Sequence, residues 1–358
     1  MAFKSVSFVA DGKGNGQPRE FSIPDCPADG VIMQVEMCGI CGGDPYIFRG
    51  QHPHSHYPLV MGHEMIGRVA AIGKQAAAER RLAEGDRFIV EVMIPCRNCD
   101  MCLAGWYHLC RRSEQYGVSR PVEHAPGTWG AYGNYLCIDP RSITHRVSGE
   151  VPVERAVILA VLANGVRWAQ LARVSIGDCV VIQGPGPQGL CSTVACKTLG
   201  ADVILMGRAA DRERLEMGRR LGADHVVCVE EGDPVARVRE LTNARMADVA
   251  LENSGAPEAV EVGLKVLRPR GRYVLSGYSG DKPVTITKDE IAKKELEVLG
   301  GWGQAGGFIP GIKIIEEGRF PLEIMVTDRF ELPQAAEGIS RVADGRVGMK
   351  GVVLPPKA

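Results

Sequence analysis

The run Cys96-Arg97-Asn98-Cys99-Asp100-Met101-Cys102, followed after seven residues by Cys110, is the densest concentration of reactive side chains in the sequence. Four thiolates at this spacing can converge on one tetrahedral zinc, with each Zn–S distance near ~2.3 Å. Four sulfurs leave no open coordination position, so such an ion would be structural. Packing alone does not call for this clustering, and a disulfide framework is uncommon in a cytosolic protein.

A second set of metal-ligand types is scattered. Met37-Cys38-Gly39-Ile40-Cys41-Gly42-Gly43-Asp44-Pro45-Tyr46 holds two thiols and a carboxylate, and Met61-Gly62-His63-Glu64-Met65-Ile66-Gly67 adds an imidazole and a second carboxylate. A Cys-x-x-Cys pair suits zinc, disulfide exchange and plain packing alike. Cys41, His63 and Glu64 are all zinc-ligand types, and a catalytic zinc needs three protein ligands and one open position. Singly, each has an ordinary alternative: a buried thiol, a satisfied core histidine, a solvated glutamate.

Gly184-Pro185-Gly186-Pro187-Gln188-Gly189 is a G-x-G-x-x-G. It follows the strand-like Val180-Val181-Ile182 and opens a helical stretch, Gly189 to Leu199, which is the context dinucleotide binding requires. The glycines allow a tight turn and close approach of a pyrophosphate to the helix N-terminal N–H groups. In this motif the second strand ends in an acid when the cofactor is NAD; here Met206 is followed by Gly207-Arg208, a small residue and a cation that suit the 2′-phosphate of NADP. Arg208 as a solvated loop residue, with Asp211 or another group serving the ribose, is the alternative. Ser254 and Gly277 are further candidate cofactor contacts.

The elements that must position these groups fall into two styles. From about Ile176 to Gly277, β-rich runs (Val180–Ile182, Val203–Met206, His225–Val229, Val249–Leu251, Tyr273–Leu275) alternate with helical ones, implying βαβ units and a parallel sheet. The first 150 residues show short strand-like runs (Val31–Glu36, Ile66–Ile72, Arg87–Val92, Tyr135–Ile138) among Gly, Pro and Asp turns, which implies a mostly β, barrel-like domain. After Gly300, helical runs at Ile309–Glu317 and Pro333–Asp344 precede a strand, Gly351–Leu354, able to pair with the first domain. The 358 residues carry a formal net charge of −1, with 45% hydrophobic and 24% charged, so neither a nucleic-acid nor an anionic-membrane partner is expected. No apolar run reaches membrane-spanning length and no signal peptide is evident, so the expected location is cytoplasmic, with the twelve cysteines as thiols or metal ligands.

Taken in order, Cys41-Gly42-Gly43-Asp44, Gly62-His63-Glu64, the four-cysteine run and Gly184–Gly189 resemble the zinc-containing medium-chain alcohol dehydrogenase/reductase family, closest in style to its sorbitol and threonine dehydrogenase branch. The resemblance implies an α/β protein: a GroES-like β-barrel catalytic domain (1–155, with the structural zinc lobe), a Rossmann doubly wound parallel sheet (156–300), and a segment (301–358) returning to the catalytic domain. It implies two zinc ions per chain and zinc-dependent interconversion of an alcohol and a ketone or aldehyde with NAD(P), with NADP favoured over NAD. Cys41 rather than Cys38 would be the catalytic ligand, Cys38 a packed thiol, His63 a ligand, Glu64 a ligand or close partner, and Asp44 the group orienting His63. A homodimer or homotetramer and a small alcohol or carbonyl substrate follow from the same resemblance.

Three positions depart from the family pattern. Gly43 replaces the usual Ser or Thr of the proton relay, Tyr46 stands where histidine is frequent, and the third ligand position falls on Ala160. Tyr46, His52 or a water would then take the proton. The loop Gln51–Tyr57 could border the substrate, although a solvated loop is its ordinary reading; Trp129 and Trp302 are pocket walls or ordinary packing. The departures leave two alternatives: a reductase of an activated C=C or C=N bond with a degenerate metal site, or a non-catalytic nucleotide-binding scaffold.

Overall fold

The computed structural model describes residues 3–280 and 282–356. Its internal contacts divide the chain into two units, one of residues up to Ala160 together with those from Glu323 onward, the other from Val161 to Leu322. The division differs from the expected 1–155, 156–300 and 301–358 chiefly because residues just after Gly300 pack onto the second unit. Gly301 lies against the Trp168 ring, Gly307 against the backbone of Ala163, and Phe320 beside Gly222.

The first unit contains β1 (Phe3–Ala10), β2 (Gly16–Ile23), β3 (Val31–Gly39), β4 (Leu59–Val60), β5 (Glu64–Ile72), β6 (Arg87–Val90), β7 (Tyr135–Ile138) and β8 (Thr144–Arg146). The second contains β9 (Cys179–Gln183), β10 (Asp202–Gly207), β11 (His225–Cys228), β12 (Ala247–Glu252), β13 (Leu267–Leu275) and β14 (Glu297–Gly300). The chain then returns to the first unit as β15 (Val326–Glu331) and β16 (Lys350–Leu354). There, one sheet runs β15-β16-β3-β5-β6-β8, with β7 also paired to β3, and a smaller sheet runs β2-β1-β4. β16 pairs antiparallel with β3, setting Val352 opposite Gly39 and Val353 opposite Cys38.

In the second unit the order β11-β10-β9-β12-β13-β14 is parallel throughout, the doubly wound arrangement in which strand sequence reverses at the central strand. β9 is buried at all five positions, as a strand covered on both faces must be. Among the described residues no helix is long and apolar enough to cross a membrane.

Some elements escaped the sequence patterns. β2 exposes Gln17, Pro18, Arg19 and Glu20, so it shows no apolar alternation, and Pro18 is tolerated because the strand lies at a sheet edge. The helices Val153–Val157 and Leu159–Leu171 bury Ala156 through Ala163 continuously, which leaves no polar face to mark helical periodicity there.

A charge network pins the end of β7 to the loop Glu114–Arg120. Arg120 Nη2 bonds Asp139 Oδ2 at 2.7 Å and also Glu114, while Arg141 Nη2 reaches Glu114 at 2.7 Å and Asp139 at 3.0 Å. Burial would raise the Asp139 carboxyl, but Arg141 and Arg120 outweigh it and hold it at about 2. Because the unfolded value is about 3.9, the carboxylate stabilises the fold above roughly pH 4, and that contribution disappears as pH falls through about 2. Asp139→Asn should therefore lower thermal stability at pH 7 and flatten its decline between roughly pH 4 and pH 2, as scanning calorimetry across that window would read.

Candidate active site

Glu64 opens β5 and sits opposite Gly39, the last residue of β3, while Cys41 follows β3 directly. This pairing gathers what the sequence separates. The ligand atoms of Cys41, His63 and Glu64 all lie within 4.8 Å of one another. Asp44 begins the short helix Asp44–Phe48, fully buried, and accepts bonds to Oδ2 from the Cys41 N–H (2.8 Å) and the Tyr132 hydroxyl (2.8 Å). Its Oδ1 faces His63 Nδ1 at 3.5 Å, an ion-pair distance with neither atom hydrogen-bonded, from the side on which a carboxylate would orient a ligating imidazole. Cys38 is fully buried in the core.

Lys350, the first residue of β16 and only 3% exposed, forms an ion pair with Glu64 Oε2. Gly39 makes room for it: a Cβ there would lie 2.4 Å from that oxygen and 2.9 Å from Lys350 Cε. Burial would raise Glu64, but Lys350 outweighs it and lowers the carboxyl; burial would lower Lys350, but Glu64 raises it. For His63, burial depresses the imidazole, yet Asp44, then Cys41 and Glu64, raise it to about 10.

Burial raises Asp44, and with no ion bound the surrounding acids keep His63 as the imidazolium, which together with Lys350 offsets the buried carboxylates. In the state a metal requires, with Cys41 as thiolate and His63 unprotonated, Cys41, Asp44 and Glu64 would stand against Lys350 with a net −2. A divalent cation on thiolate, imidazole and carboxylate restores neutrality while His63 stays unprotonated, and the donor types are those zinc takes. Ala160 is buried and offers only a methyl group, so Glu64 is the third donor of the cluster. Tyr46 is 43% exposed and outside the cluster. At Gly43 a Cβ would find only Cys41 Sγ, 3.8 Å away.

The four remaining candidate ligands cluster as well. Cys96, Cys99, Cys102 and Cys110 place their sulfurs within 4.8 Å of one another, with Cys96 Sγ and Cys102 Sγ 3.9 Å apart. Sulfurs on one tetrahedral zinc sit about 3.8 Å apart for ~2.3 Å bonds, so the spacing fits that ion and excludes a disulfide between this pair. The Arg111 and Cys102 N–H groups lower Cys99 to about 6, and the Asn98 N–H lowers Cys96. Burial pushes Cys102 up to about 12, so it is at Cys96 and Cys99 that the surrounding N–H groups favour the thiolate.

In the second unit, Gly184–Gly189 joins β9 to the helix Pro187–Thr198, whose N-cap is Gly186 and whose first residue is proline, a position needing no N–H partner. Gly189 packs against the Gly184 carbonyl with no space for a Cβ, and Ser254 abuts Gly184. Gly277 donates its N–H to Glu252 O at 2.9 Å, so the candidate contacts after β9, β12 and β13 meet at the carboxyl ends of the strands, where such sheets bind ligands. Gln188 is held by Asn164 (3.1 Å) and reaches Val161 O (3.4 Å). A Cβ at Gly207 would meet the Pro185 ring at 2.7 Å, a reason for the missing acid there. Arg208 is 70% exposed, with Nε 3.8 Å from Asp211 Oδ2. Trp302 is largely exposed, whereas Trp129 is buried and lines a cleft of the first unit.

Tyr132 and Lys350 were not anticipated. A lysine inside the apolar run Met349–Leu354 is a signal in itself, since a buried ammonium requires an acid, but nothing local names its partner. Tyr132→Phe should weaken zinc retention at the Cys41 cluster by about 10–100-fold in a chelator competition, because Asp44 would lose the donor that helps aim it.

Residues 27–149 match a family profile described as an alcohol dehydrogenase GroES-like domain, and residues 187–316 one described as a zinc-binding dehydrogenase. A probable alcohol dehydrogenase of Mycobacterium tuberculosis is 33% identical over 350 residues, covering 94% of this chain and 95% of its own. An erythritol/L-threitol dehydrogenase of Mycolicibacterium smegmatis is 30% identical over 363 residues, covering 98% of both. The crystal structure of an alcohol dehydrogenase from Thermotoga maritima superposes with a TM-score of 0.90 at 25% identity, covering 99% of this chain and 100% of that one. By identity along nearly its whole length and by both matched domains, the chain belongs to the zinc-containing medium-chain alcohol dehydrogenase/reductase family.

Proposed function

We propose that the protein oxidises a small alcohol, or reduces the matching carbonyl, with a zinc ion held by Cys41, His63 and Glu64 and NADP held by the second unit. The observation that carries this reading is the convergence of a thiol, an imidazole and a carboxylate within 4.8 Å of one another. It favours zinc chemistry over the metal-independent reductase and the non-catalytic scaffold. Erythritol and threitol are substrates by name of one relative, which supports a polyol as the substrate type. The zinc would supply Lewis acidity that makes a hydroxyl more acidic, and the nicotinamide would accept the hydride.

The chain's own residues do the rest. Asp44 faces His63 Nδ1 and would steady the ring, and Lys350 limits how much negative charge Glu64 would present to the ion. With no hydroxyl at Gly43, the proton needs another acceptor. His52 is half-buried, and burial, followed by the charges of His54 and His63, lowers its pKa, so the ring is neutral and able to accept at neutral pH. Its Nδ1 lies 3.3 Å from Ser55 Oγ. Preference for NADP rests on Gly207 and Arg208, and a second, structural zinc on the four-cysteine lobe.

Metal analysis of the wild-type protein should find about two zinc ions per chain, falling to about one in Cys41→Ser, with alcohol oxidation abolished and NADP binding retained. Unchanged turnover in that variant would overturn the reading. The ratio of kcat/KM with NADP to that with NAD should exceed one and drop about tenfold or more in Arg208→Ala; a wild-type preference for NAD would reverse the cofactor assignment.

A further inference from the structure

The first unit carries a cleft of about 590 Å³ lined by His54, His56, Arg112 and His124, a size typical of small-molecule sites. Two acids, Glu114 and Asp139, also line it, but Arg120 and Arg141 engage both, so that network is balanced two against two. Arg112 is left over. It is exposed and forms no ion pair among the described residues, and the imidazoles of His54, His56 and His124 are exposed beside it. A guanidinium with three imidazoles offers several N–H donors and few competing acceptors, which is the complement of a dianionic group with three acceptor oxygens.

The segments that form the two walls also connect to the neighbourhood of His63. His54 and His56 belong to the loop that also carries His52, a side chain close enough to feel the His63 charge. On the other wall, Trp129 accepts the Gly117 N–H (2.6 Å) at its carbonyl, and two residues later Ala131 N–H bonds Gly62 O (2.9 Å), immediately before His63. The Arg120 guanidinium stacks 4.2 Å from the Trp129 ring centre, and the Trp129 indole N–H bonds His124 O at 2.8 Å, so the wall is fixed from both sides.

The geometry points to a phosphomonoester site: the substrate is a phosphorylated polyol whose phosphate lies against Arg112, His54, His56 and His124 while its hydroxyl is presented at the Cys41–His63–Glu64 cluster. This rests on the proposed alcohol oxidation, and two measurements separate their fates. In the first, the zinc-loaded enzyme is assayed with NADP on three- to six-carbon polyols and their monophosphates. The phosphorylated member should be favoured in kcat/KM by about 100-fold, a ratio that Arg112→Ala cuts at least about tenfold. Equal kcat/KM for the two members, or a preference that Arg112→Ala leaves intact, overturns the phosphate site.

In the second, inorganic phosphate is titrated into the same protein and followed by 31P NMR. Binding should weaken about tenfold or more in Arg112→Ala and in His56→Gln. If no alcohol or phosphorylated alcohol is oxidised at all, the proposed function fails. The cleft is then judged on the titration alone: binding lost in the variants supports it, and absent or unaltered binding overturns it.

Discussion

Charge balance around Glu64 governs the first unit. Two buried carboxylates, Asp44 and Glu64, face the Lys350 ammonium and the His63 imidazolium. Burying unpaired charge is expensive, so a metal that displaced the His63 proton would have to take over that proton's share of the balance. The same requirement accounts for features that look unrelated one at a time: the glycine at 39 that clears space for the Glu64–Lys350 pair, the Tyr132 hydroxyl aimed at Asp44, and the His63 ring held above its ordinary pKa.

The two candidate metal sites meet that requirement differently. In the four-cysteine lobe, backbone N–H groups on neighbouring residues favour the Cys96 and Cys99 thiolates, and the whole device lies within one short loop. The Cys41 cluster draws on the ends of β3 and β5, the start of β16 and the segment before β7. A local site tolerates changes elsewhere in the sheet; a distributed one transmits them to its ligands. That difference suits a closed structural ion in one case and a tunable centre in the other.

How much could be read beforehand follows the same division. The lobe was legible because its ligands are close in sequence, and the Gly184–Gly189 turn because its flanking strand and helix are too. Cys41, His63 and Glu64 could be named as ligand types, but their convergence needed the β3–β5 register. Tyr132 lies 88 residues from its partner Asp44, and Lys350 comes from β16, which no spacing rule connects to Glu64. In the fold, the alternating strands of the second unit were readable from their apolar runs. The hairpin β1–β2 and the fully buried helical stretch at Ala156–Ala163 were not, since one shows too few apolar positions and the other too few polar ones.

The seating of β16 beside β3 also bears on how the polypeptide matures on the ribosome. Cys41, His63 and Glu64 emerge early, yet the ammonium that neutralises Glu64 is translated after the whole of the second unit, some 160 residues of intervening fold. Until that late strand docks, Glu64 lacks its partner ammonium and the edge of β3 is open where β16 will lie. Completion of the Cys41–His63–Glu64 pocket is thus coupled to the last steps of synthesis, and a nascent chain that stalls before Lys350 exposes an unfinished, adhesive sheet edge to quality-control proteases.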